Sequence, residues 1–66
     1  MDPEKAWRQL AEAIANDDSS LATELADGLL AWLDRNGFPP KITGLLAFDR
    51  MVVEATCDRI VAWEVP

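Results

Sequence analysis

The sequence predicts an all-α, small three-helix domain: a helical hairpin over about residues 3–35, then a longer third helix over about 44–63. Three observations carry this reading. Apolar residues recur at helical spacing from Trp7 to Ile14 and again from Leu21 to Leu33. Residues suited to N-caps stand before both runs. The segment Asn36-Gly37-Phe38-Pro39-Pro40 reads as a helix stop followed by prolines that forbid continuation. At 66 residues the chain forms one domain, residues 1–66, at the size where core burial barely offsets chain entropy. Its 50% apolar and 27% charged residues give a globular rather than a disordered balance.

In the first helix, Asp2 can cap, Pro3 suits the first helical position, and Glu4 sits near the positive end of the dipole. Trp7, Leu10, Ala11 and Ile14 then form the apolar stripe, with Glu4, Arg8 and Glu12 paired by charge on the other side. Asn16-Asp17-Asp18-Ser19-Ser20 is a turn between helices. It is no calcium loop, because the alternating acids, the glycine and the distal glutamate are missing. The second helix follows over about 19–35, with Leu21, Leu25, Leu29, Trp32 and Leu33 on one stripe, widened by Ala22, Ala26 and Leu30. Gly28 interrupts it and is expected to form a notch for close helix crossing.

At the end of that helix, Asn36 is expected at the C-cap and Gly37 in the left-handed position after it. Phe38 should then pack back on Leu33. The connection through Pro39-Pro40 lacks a PxxP motif and reads as a stiff link whose Phe38 and Ile42 plug the end of the core. For the third helix Thr43 is the expected N-cap. Met51-Val52-Val53 and Ile60-Val61 favour strand, but Arg50, Glu54 and Asp58 repeat at helical spacing and decide for helix. Two apolar stripes result: Leu45, Phe48, Val52 and Ala55, and Leu46, Val53, Ile60 and Trp63. Pro66 follows shortly after.

Composition narrows the chemistry sharply. With no histidine and a single cysteine, the usual general base, the usual zinc ligands, a Cys-His or Ser-His nucleophile pair and CxxC redox chemistry are all excluded. Gly28, Gly37 and Gly44 stand too far apart for a phosphate loop. The carboxylate pairs Glu54/Asp58 and Glu24/Asp27 lack the histidines that di-metal helix sites need, and read as solvated helix faces. Cys57 lies in an apolar stretch and reads as a buried, inert thiol. No enzyme activity, catalytic residue, cofactor or metal is therefore expected.

The net charge of −6 disfavours nucleic-acid binding, because phosphates would be repelled, and no membrane partner is expected. Residues 1–33 hold seven acids and two bases, against five and four in residues 34–66, so the hairpin carries most of the charge. No apolar run is long enough to span a bilayer, and Met1-Asp2-Pro3-Glu4 does not open a signal peptide. A reduced cytoplasmic setting is the default expectation.

Trp7 and Trp32 are expected in the core with Gly28, Gly37 and Phe38 as structural residues. The third helix has more apolar faces than one flank of a small bundle needs, and Trp63 lies in its last turn. The expected function is a small acidic interaction domain that self-associates as a homo-oligomer through Phe48, Val52, Val53, Ile60 and Trp63. Its acidic half is left free for a basic protein partner. The alternatives are an acidic inhibitor or nucleic-acid mimic filling a basic groove, and an accessory subunit of an enzyme.

The residues Trp7, Leu10, the Ala22-to-Trp32 stripe and the closing Trp32-Leu33-Asp34-Arg35-Asn36-Gly37-Phe38-Pro39-Pro40 carry a resemblance. They are similar to small bacterial and phage or plasmid proteins whose helical hairpin ends in WL-x-x-G-G-F-P-P, with Asn36 here where that pattern often has Gly. The resemblance covers about residues 3–40. It implies a helical hairpin and a bacterial-type origin, and it implies no activity. The first two helices also look loosely like a tetratricopeptide hairpin, but the Ala and Pro positions of that repeat do not line up and no second copy follows.

Overall fold

In the computed structural model, which describes residues 2–63, three helices follow one another: α1 (Pro3–Ala15), α2 (Ser19–Asp34) and α3 (Leu46–Val61). No strand occurs among the described residues. The middle helix α2 packs against α1 on one side and α3 on the other. All three helices lie within the ranges read from the sequence, and the third is trimmed at both ends. The expectation for Pro66 lies outside the described residues.

Local bonds account for the hairpin. Asp2 caps α1 by accepting from the N–H groups of Glu4 (3.1 Å) and Lys5 (3.2 Å), with Pro3 in the first helical position. The other end closes in a Schellman turn. Asp17 takes the left-handed conformation (φ 55°) and donates its N–H to Ile14 O at 3.1 Å, and Asp18 N–H reaches Ala13 O at 2.8 Å. The Asp18 carboxylate then accepts from Leu21 N–H (3.1 Å) and caps α2. One aspartate thus ends the first helix through its backbone and opens the second through its side chain.

The core is built on small residues. Ala6, Leu10 and Ala13 of α1 and Ala22, Ala26, Leu29 and Leu33 of α2 are buried, joined by Val53, Cys57 and Ile60 of α3. Four alanines along the α1–α2 seam let the two backbones approach closely, while Leu10, Leu29 and Leu33 each contribute about 2 kcal/mol by burial. This rotates α1 from its expected stripe. Ala6 and Ala13 face inward, whereas Ala11 and Ile14 are exposed and Trp7 is half-buried. Trp7, Leu10, Ala11 and Ile14 instead line a small crevice with Thr56 of α3. Leu21 is likewise exposed, and Gly28 lies half-buried one position before the inward-facing Leu29.

The end of α2 differs from expectation by one residue. Asn36, not Gly37, holds the left-handed position (φ 63°). Its N–H bonds Leu33 O at 3.0 Å and the Gly37 N–H bonds Trp32 O at 2.9 Å, which completes a second Schellman turn. Gly37 is required for a different reason: a Cβ there would fall on the indole of Trp32. That indole folds over the turn and donates its Nε1–H to Phe38 O at 2.7 Å. Phe38 is consequently turned outward and 71% exposed, so it does not pack on Leu33. Phe38 and Ile42 do not plug the core either; Pro39 and Pro40 are the buried residues of the connection.

Candidate interaction face

The strongest polar feature lies where this connection meets α3. Asp49, in the first turn of the helix, is 2% exposed and accepts four hydrogen bonds from the preceding loop. Oδ1 accepts from Thr43 Oγ1 (2.7 Å) and Thr43 N–H (2.9 Å), while Oδ2 accepts from the N–H groups of Ile42 and Gly44, both at 3.1 Å. Gly44 reaches its carboxylate oxygen with φ at 88°, a left-handed conformation that an L side chain rarely adopts. Burial on its own would raise the Asp49 carboxyl. The bonds from the Thr43 hydroxyl and the three backbone N–H groups outweigh it and hold the carboxyl below its ordinary value. Thr43 is therefore not the N-cap: Leu45 occupies that position without a side-chain bond, and Thr43 Oγ1 accepts from Leu45 N–H at 3.1 Å while donating to Asp49.

With its carboxylate oxygens taken up by bonds from the loop, Asp49 fastens structure rather than offering chemistry. Sequence reasoning passed over it, because an acid in the first turn of a helix looks like an ordinary dipole partner. Thr43-Gly44 followed by an acid five or six residues later was the available sign. Beside it, Arg50 Nη2 donates to Leu33 O at 3.0 Å, tying α3 to the end of α2, and its Nε lies 3.8 Å from Glu54 in an exposed pair.

Cys57 is fully buried, and burial first, then the neighbouring charge of Asp58, pushes its thiol up to about 11. It is a protonated core residue at neutral pH. Glu24, Asp27, Glu54 and Asp58 are all exposed. Among the described residues no three His, Cys, Asp or Glu side chains gather as a metal site, and no helix is long and apolar enough to cross a membrane.

Asp49, Val53, Cys57 and Ile60 form the inward face of α3. This corrects two expected interface residues: Val53 and Ile60 are core, because they share that face and are covered by the hairpin. The opposite face carries Phe48, Met51, Val52 and Ala55 at i, i+3, i+4 and i+7, with Leu45 one turn earlier. Val52 is half-buried; Phe48 is 47%, Met51 62% and Leu45 67% exposed. Trp63, beyond the helix, is also exposed, and Trp7 and Trp32 pack against the edge of the core. A shallow furrow of about 330 Å³ runs along the outer face. Ala47, Arg50, Met51, Glu54, Ala55 and Asp58 line it.

No protein-family model matches this chain, and neither curated proteins nor solved structures contain a detectable match to it.

Proposed function

We propose that this protein is a small non-enzymatic interaction domain that pairs with a second copy of itself across the outer face of α3. One observation carries the reading: α3 has two apolar faces and only one is covered within the chain. The uncovered one places Phe48, Met51, Val52 and Ala55 at the spacing of a helix–helix seam.

Electrostatics supports the choice of a second copy and of this face. A net charge of −6 opposes association through most of the surface. The charges of α3 outside its buried face are the half-buried Arg50 and the exposed Glu54, Asp58 and Arg59, which cancel. The excess lies on the hairpin, where Glu12, Asp17, Asp18, Glu24 and Asp27 are exposed and form no ion pair among the described residues. Two copies meeting through α3 keep those acids apart.

Sedimentation velocity across the micromolar range tests this, with a reversible shift from monomer to dimer as the expected result. Monomer at every concentration would contradict it. The exposed hairpin acids also favour a second reading, in which that face meets a basic protein. Such binding would weaken steeply with added salt and leave the α3 pairing intact.

A further inference from the structure

We infer that Asn36 is a site of spontaneous deamidation, and that movement of the Trp32 indole off the Asn36–Gly37 step sets its rate. The site lies at the end of α2 and is independent of any pairing through α3.

The chemistry needs only water. An asparagine before a glycine is prone to it, because glycine has no side chain to shield its own peptide nitrogen. Base removes the Gly37 N–H proton, and the nitrogen attacks Cγ of Asn36. A bond forms between that nitrogen and Cγ, the bond from Cγ to Nδ2 breaks, and Nδ2 takes a proton from solvent and leaves as ammonia. Water then opens the cyclic imide. Breaking the new bond gives aspartate at position 36; breaking the original peptide bond gives isoaspartate, whose main chain runs through the side chain. One water is consumed, one ammonia is released, and nothing is oxidised or reduced.

Asn36 is exposed, so water reaches its amide, but the nitrogen that must attack it is held. The Gly37 N–H donates to Trp32 O at 2.9 Å, which favours its protonated form and aims it away from the Asn36 side chain. Asn36 is fixed in the left-handed conformation (φ 63°) by its own N–H bond to Leu33 O. The Trp32 indole lies so close over Gly37 that no Cβ fits there, and its Nε1–H holds Phe38 O at 2.7 Å. Trp32 thus grips the reacting step through its carbonyl, its ring and its indole N–H. Around it Arg35, Asn36 and Phe38 are exposed, so the turn can open locally while the core stays folded. Asn16 is the internal reference, because the side chain and charge of Asp17 shield the nitrogen that follows it.

Ageing the full chain in mildly alkaline buffer tests both parts. Isoelectric focusing follows the gain of negative charge, and peptide mass mapping places it and separates aspartate from isoaspartate. A parallel sample unfolded in guanidinium chloride gives the ungated rate. Asn36 should react in both, faster than Asn16, and on the order of ten-fold more slowly when folded. Trp32→Phe keeps a ring but loses the Nε1–H, and should speed the folded reaction about five-fold, the population change for one ordinary hydrogen bond. Ala13→Gly, at the other end of the hairpin, costs comparable stability and should speed it much less. Circular dichroism confirms that both variants retain the helical fold. Equal acceleration by the two variants would mean that the reaction waits on global unfolding, and would overturn the indole as the gate. Equal rates in the folded and unfolded chains would do the same. No charge gained at Asn36 even in the unfolded chain would overturn the site itself.

Discussion

The two connections of this fold are built on different principles. The turn between α1 and α2 is entirely local: Asp17 and Asp18 supply the stop, the reversal and the next cap, and every bond spans five residues or fewer. The connection between α2 and α3 begins with a similar local stop at Asn36. It then runs through buried prolines to residues 42–44, whose N–H groups end on the single carboxylate of Asp49. The hairpin turn spreads its polar bonds over several residues, whereas the corner concentrates them on one side chain. A local turn loses little when any one bond is removed. A hub loses its whole loop.

The largest effect should therefore come from Asp49→Ala. It strips four bonds from the corner and should lower the melting temperature by on the order of 15 °C. Backbone amide exchange at Ile42, Thr43 and Gly44 should rise together, and exchange in the 16–18 turn should stay unchanged. The same group gives the corner a pH dependence. A carboxyl held below its ordinary value stabilises the fold above its unfolded pKa of about 3.9, and that stability is lost as pH falls through the lower folded value. Protection of those three amides should accordingly persist through the ordinary carboxylate range and be lost only at lower pH, as Asp49 protonates in the folded state. Asp49→Asn should abolish that pH response, as followed by amide NMR.

Next in size is Gly37→Ala, where the added Cβ displaces the Trp32 indole and breaks its bond to Phe38 O. A loss of about 1–2 kcal/mol is expected by urea titration. Smallest are the left-handed positions. Asp17→Gly and Asn36→Gly each relieve a positive φ and should each stabilise the fold by about 0.5 kcal/mol. A clear difference between those two would show that the two Schellman turns are not equivalent, which would sharpen the contrast between turn and corner.

That contrast also marks how far the sequence was legible. Asp2, Pro3 and Asp18 act within a few residues of their own position, so both ends of α1 and the start of α2 could be read directly. The stop of α2 could be located but not assigned. Asn36 tolerates the left-handed conformation, and Gly37 is needed for an indole five residues back, a contact that spacing does not reveal. Asp49 was illegible because its burial depends on a loop folding over it. On α3 both apolar stripes were visible. Which one faces inward depends on the hairpin that covers Val53 and Ile60, and periodicity within one helix carries no information about its neighbour. The expected interface residues that lie outside the core are Phe48 and Val52, on the same stripe as Met51, and Trp63, exposed just past its end.

The proposed function rests on that stripe, and sedimentation equilibrium of two matched variants tests it most directly. Met51→Asp places a charge on the outer face of α3, and Ile14→Asp places one at a comparably exposed apolar site on α1. Met51→Asp should remain monomeric at concentrations where the parent chain and Ile14→Asp both form dimers, with helicity unchanged in all three. Equal association by Met51→Asp and the parent chain would contradict pairing through α3.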